Sequence, residues 1–200
     1  MANYSNIFVR EGLKYAEYRE LISSLLAEGK STSADHSEEM LHYTTLNVQR
    51  MNRLEKTAVL NESLTEAIGR LKKHYHLLVI TEGWCGDAAQ IVPLFDKITA
   101  LSPEKFDLRF VFRDQNLPLI DAHLTNGARS IPVVLVLDDE GELLVKWGPR
   151  PAAAQKELNY WKAESTDKHL HSEKLHLWYA RDKTQATQQE LTELISNLEK

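Results

Sequence analysis

One cysteine, Cys85, is all that the 200 residues contain, so the chain cannot close a disulfide within itself and is not a small scaffold stapled by disulfides. Charge of a single sign is lacking too. The 24 Lys and Arg are scattered among 29 Asp and Glu, for a formal net charge of −5, and no block of positive charge stands ready to neutralise phosphates. Nucleic acid is therefore not an expected partner. Long apolar runs are missing as well: residues 77–80 and 131–137 are the longest, far short of the ~20 residues a membrane helix requires, so no membrane association is expected. The opening residues lack the basic start, apolar run and small-residue cleavage site of a secretory signal, and with the unpaired cysteine this points to a cytoplasmic address. There is no internal repeat and no low-complexity tract. What is present, 42% hydrophobic residues, suffices for an ordinary buried core.

The first third of the chain reads as helical. Tyr15, Tyr18, Leu21, Ile22 and Leu25 recur at three- and four-residue steps and form one apolar stripe that Gly29 ends. The polar residues 30–35 can cap a second helix with a mixed face of Met40, Thr44, Asn47 or Val48, Met51 and Leu54, and a third helix is expected over about residues 61–73. From residue 77 the pattern changes. A short apolar strand at 77–80 is followed by a helix from Gly86 through Ile98, a parallel strand at 108–113, a helix at 117–125 ended by Asn126-Gly127, and a hairpin of strands 133–137 and 142–147. Helices are expected again over 152–162, and from after Lys183-Thr184 with Leu191, Leu194, Ile195 and Leu198 inward. The order of the mixed segment is β-α-β-α-β-β.

Residues 84–93, Trp-Cys-Gly-Asp-Ala-Ala-Gln-Ile-Val-Pro, resemble the active-site turn of thioredoxins, in which Trp-Cys-Gly-Pro-Cys opens a helix that carries a proline. Arg129-Ser130-Ile131-Pro132 is similar to the thioredoxin segment whose cis-proline faces the active-site cysteines and whose backbone pairs with an extended substrate. The hairpin ending at Trp147-Gly148 matches a third feature, a glycine close to the site. The resemblance covers about residues 71–162 and implies an α/β, thioredoxin-like fold: a central mixed sheet flanked by helices. Residues 1–73 would then be an N-terminal helical extension packed on the core, and 74–200 a thioredoxin-like domain with extra C-terminal helices, since no Pro/Gly/Ser-rich linker separates the two. The extension is expected to narrow access to Cys85.

Two departures from the family pattern matter. Ala88 stands where the resolving cysteine would be, and Val79 where thioredoxins bury an aspartate that assists that second thiol. With no second thiol to activate, a buried acid would only carry its desolvation cost. Unpaired backbone N–H groups and the positive end of a helix dipole stabilise a thiolate at such a turn, so Cys85 is expected to be accessible and more acidic than the free thiol, at about 8.5. The charge of Asp87 opposes this. The alternative reading of Cys85 is a small buried hydrophobe.

The leading expectation is a monothiol thiol-disulfide oxidoreductase in which Cys85 forms a mixed disulfide that an external thiol resolves. Its partner would be a protein or small-molecule thiol or disulfide. Gly86 and Asp87 would lend backbone N–H groups, Ile131 and Pro132 the docking edge, and Trp84 a flat apolar contact. Arg113, Asp114 and Arg129 are candidates for holding an anion or balancing Asp87, Arg129 foremost because the resemblance puts its loop beside the cysteine; ordinary paired or solvated charges are the alternative. His169, His171 and His176 lack a nearby cysteine or well-spaced carboxylate and read as solvated or core-edge residues, so neither a metal nor a cofactor is expected. Trp161, Trp178 and Tyr179 read as packing residues, although Tyr179 would approach the site if the C-terminal segment folded back. The rival readings are a redox-inactive binding or scaffold protein and a thiol-based oxidant sensor.

Overall fold

The computed structural model describes residues 2–200. Four helices come first: α1 (Ser5–Arg10), α2 (Tyr15–Ala27), α3 (Glu38–Thr57) and α4 (Glu62–Arg70). Their ends follow from capping chemistry. The Ser37 hydroxyl accepts from the Met40 N–H at the start of α3, and the Asn61 side chain accepts from the Leu64 N–H at the start of α4. Past α2, Gly29 takes a left-handed φ of 70° that a side chain would resist.

The sheet follows, with strands β1 (Tyr75–Thr81), β2 (Phe106–Phe112), β3 (Val133–Leu137) and β4 (Leu143–Trp147) in the order β2-β1-β3-β4. Between β1 and β2 runs α5 (Gly86–Leu101); a short 3-10 turn and α6 (Leu117–Asp121) lead towards β3. Strand β1 lies parallel to β2 with Val79 opposite Phe110, and antiparallel to β3 with Val79 opposite Val134. Flanked on both sides and covered on both faces, β1 has to be apolar nearly throughout, and Leu78, Val79 and Ile80 are fully buried. Edge strand β4 alternates half-buried and exposed residues instead.

Three helices close the chain: α7 (Ala152–Glu164), α8 (Lys168–Asp182) and α9 (Gln185–Asn197). Helix α3 lies along α5, α4 against α9, and α8 against both α7 and α5. One apolar cluster joins these layers, running from Phe8, Tyr18, Ile22, Met51 and Leu64 through the sheet to Leu175, Tyr179, Leu191 and Ile195. Tyr18 stacks on Phe110 of β2 with ring centroids 4.7 Å apart, so the first helices share the core of the sheet. The mixed α/β architecture matches the sequence expectation. The differences are local: α6 stops at Asp121 because residues 125–128 turn through left-handed Asn126 and Gly127, β2 begins at Phe106, and helices α1 and α8 were not anticipated. Among the described residues no helix is long and apolar enough to cross a membrane.

Candidate functional site

Cys85 leaves the C-terminal end of β1 and serves as the N-cap of α5. Its Sγ accepts weakly from the Ala88 N–H, at 3.5 Å, and its thiol donates to the Ile131 carbonyl at 3.3 Å. The next peptide bond, Ile131–Pro132, is cis. The dipole and N–H groups of α5 therefore do act on the sulfur, as the sequence implied. They are outweighed. Cys85 is only 6% exposed, and burial, followed by the charge of Asp87, pushes its thiol from the ordinary 9.0 up to about 12, against the opposing pull of the Ala88 N–H, the Arg150 charge and the Asp87 N–H. The expectation of an accessible, acidified cysteine is corrected: in this structure Cys85 is a covered, protonated thiol.

Asp87 occupies the first turn of α5, where a carboxylate suits the dipole, yet it is 7% exposed and needs partners. Two distant elements supply them. Arg150, in the bend before α7, places Nη2 2.6 Å and Nε 3.2 Å from the carboxylate, and Tyr179 of α8 donates its hydroxyl to Oδ1 at 2.5 Å. Burial and the neighbouring Asp87 charge raise the Tyr179 phenol well above its ordinary value, so it stays a donor. The approach of this bend depends on Gly148: at φ 112°, a Cβ there would lie 2.3 Å from the Pro132 carbonyl oxygen.

Helix α8 closes over the turn at Gly86 as well. A Cβ on Gly86 would sit 2.7 Å from the His176 ring, so a side chain there would require the imidazole to shift. Burial, then Arg50 and Arg53, hold His176 down to about 3, leaving its ring neutral and 3.3 Å from the Gln90 side-chain nitrogen. A cleft of ≈ 220 Å³ remains between α5, α7 and α8, lined among others by Gly86, Lys162, Lys168, His171, Ser172 and His176.

The N-terminal segment holds the other side of the turn. Thr32 donates its hydroxyl to the carboxylate of Glu82 and accepts from the Gly83 N–H at 3.0 Å, while Asn47 donates to the Gly83 carbonyl at 3.1 Å. Glu82 is fully buried, also accepts from the Asp114 N–H at 3.0 Å, and has its carboxyl raised by desolvation.

The remaining expected site residues are distributed as follows. Trp84 is half-buried, and Arg113 covers one face of its ring with the guanidinium carbon 4.7 Å from the centroid. Ile131 is buried at the cysteine and Pro132 follows it. Arg129 does not reach Asp87. It forks onto Asp121 at 2.6 and 2.8 Å on the exposed surface, and the role of balancing Asp87 falls to Arg150 instead. Arg150 escaped the sequence reading, and His176, read there as a solvated or core-edge residue, lies half-buried beside Gly86. Among the described residues no metal-ligating group gathers around Cys85.

A family model described as Thioredoxin matches residues 33–167, which takes in α3 and α4 along with the sheet and crosses residue 73. No curated protein matches the chain. Among solved structures, a protein of unknown function from Pseudomonas aeruginosa superposes with a TM-score of 0.56 at 22% identity, covering 92% of this chain and 97% of that one. A second, an HIV epitope scaffold carrying the 4E10 name, gives 0.54 at 22% identity over 92% and 98%. These likenesses extend to the fold alone. The family match spans well over half of the residues and coincides with the Trp84–Cys85 turn, the cis Ile131–Pro132 bond and the mixed sheet: the chain belongs to the thioredoxin-like family.

Proposed function

We propose that this protein is a redox-silent member of its family, a binding module that keeps the thioredoxin frame without a disulfide cycle. The observation that carries the reading is the state of Cys85, buried and hydrogen-bonded to the Ile131 carbonyl, with burial raising its thiol to about 12. Raised from 9.0, such a thiol holds about a thousandfold less thiolate at neutral pH than an unperturbed one, and the thiolate is the nucleophile. Ala88 supplies no second sulfur. One surface open to a ligand is the cleft beside Gly86, where Lys162 and Lys168 favour an anionic group and the Asp87 carboxylate is held by Arg150.

A second reading has its own support. The Cys85 sulfur lies 3.3 Å from the Ile131 carbonyl, at the edge where family members dock substrate, which suits a monothiol oxidoreductase. Turnover of a model disulfide, measured with and without a small thiol and compared with Cys85→Ser, separates the two. The binding reading expects no turnover in any arm and a Cys85→Ser protein that folds normally. Cys85-dependent turnover that appears when the small thiol is added would overturn it in favour of the monothiol enzyme.

A further inference from the structure

At the end of β1 remote from Cys85, three ligating side chains converge. His74 precedes the strand and His76 lies within it, two positions on, so an extended chain sends both side chains to one face. Asp139 joins them from the turn between β3 and β4, carried there by the antiparallel register that sets His76 opposite Leu137. One ring nitrogen from each histidine and a carboxylate oxygen of Asp139 all lie within 4.8 Å of one another. His74 Nδ1 is 2.6 Å from Asp139 Oδ1, and the two imidazoles meet edge to face with centroids 4.9 Å apart.

His76 carries the second observation. Its Nδ1 is buried without a hydrogen-bond partner, an unusual state for a polar atom. Phe8 of α1 packs on the same ring at 4.4 Å and fixes its orientation. The neighbouring cation Arg109 is already paired with Asp107 and lies over Phe8 at 5.3 Å. The paired His74 and Asp139 side chains are 28% and 60% exposed, so solvent and ions reach them.

We propose that His74, His76 and Asp139 form a three-ligand site for a borderline divalent cation of the zinc type, with water as the fourth donor. Two imidazoles and a carboxylate are the donor set such ions take. Tetrahedral ligation at metal–ligand distances of about 2.0–2.2 Å needs donors about 3.3–3.5 Å apart. That spacing lies between the 2.6 Å of the His74–Asp139 contact and the 4.8 Å span of the trio. The ion would tie the segment before β1 to the β3–β4 turn, 65 residues away, and stabilise the fold without touching Cys85.

The test uses the full chain stripped with a chelator, titrated with Zn²⁺ by calorimetry and with Co²⁺ by visible absorption at neutral pH. One equivalent should bind, Co²⁺ should show the intense bands of a tetrahedral site, and Zn²⁺ at a hundredfold over its Kd should raise the melting temperature by about 5–10 °C. His74→Ala and Asp139→Asn should each weaken binding at least about tenfold while leaving the metal-free melting temperature nearly unchanged. His169→Ala, on α8, should leave binding as it was. The proposal is overturned if no stoichiometric binding occurs, or if affinity survives undiminished in His74→Ala and Asp139→Asn.

Discussion

Replacing Asp87 by Asn removes one charge from the centre of the site and leaves its shape almost untouched, so the response separates electrostatics from packing. Arg150 would keep its position, with a side chain 15% exposed, but face a neutral amide in place of a carboxylate. Breaking a buried ion pair from one side costs about 3–5 kcal/mol, and because the Asn carbonyl can still accept from Tyr179 or Arg150 the lower end, about 3 kcal/mol, is expected. For a chain of this size that is a fall of about 6–12 °C in melting temperature. The thiol should respond in the opposite sense. Asp87 is the second cause of its elevation, after burial, whereas the neighbouring Arg150 lowers it. The apparent pKa of Cys85 in Asp87→Asn should therefore fall below about 12 yet stay above the ordinary 9.0, because burial persists. Calorimetry gives the first quantity and alkylation rate against pH, followed by intact mass, gives the second. A variant as stable as the parent, with Cys85 titrating unchanged, would refute the coupling of Asp87 to both partners.

Other perturbations test separate parts of the structure. The folded Cys85 thiol titrates above the unfolded one, so the stability it lends is complete below about pH 9 and is lost as pH rises towards 12. Denaturant unfolding of the parent should accordingly weaken across that window by up to about 4 kcal/mol from this group, and Cys85→Ala should show a shallower alkaline slope; equal slopes would contradict the elevation. Gly148→Ala forces a Cβ within 2.3 Å of the Pro132 oxygen at φ 112° and should cost at least about 2 kcal/mol, read from the urea midpoint. Ala88→Cys should close a disulfide with Cys85 on oxidation, since residues three apart in the first turn of α5 bring their sulfurs within reach; intact mass and thiol count decide it.

What the sequence disclosed about this site was local. The turn at residues 84–93 announces the cysteine, the start of α5 and the buried Pro93, and the hairpin expected over 133–137 and 142–147 is the antiparallel pair of β3 and β4. What covers the turn comes from far along the chain: Arg150 lies 63 and Tyr179 92 residues from Asp87. Helix α8 gave little periodic signal because its inward face is spelled His171, Leu175, Tyr179, set among histidines and lysines that read as polar. The acidity of Cys85 was misjudged for the same reason. A helix N-terminus is visible in a short motif, whereas desolvation depends on tertiary packing and here outweighs it. Arg129 failed through a nearer competitor, Asp121, eight residues before it.

The titration of Cys85 in the unmodified protein tests the central claim most directly, and the chain's single cysteine makes the readout free of any other thiol. Alkylation of the native protein, followed by mass across alkaline pH, should give slow modification at neutral pH and an apparent pKa near 12. A rapid reaction at neutral pH with an apparent pKa at or below the ordinary 9.0 would contradict a covered and protonated Cys85 and return the site to nucleophilic chemistry.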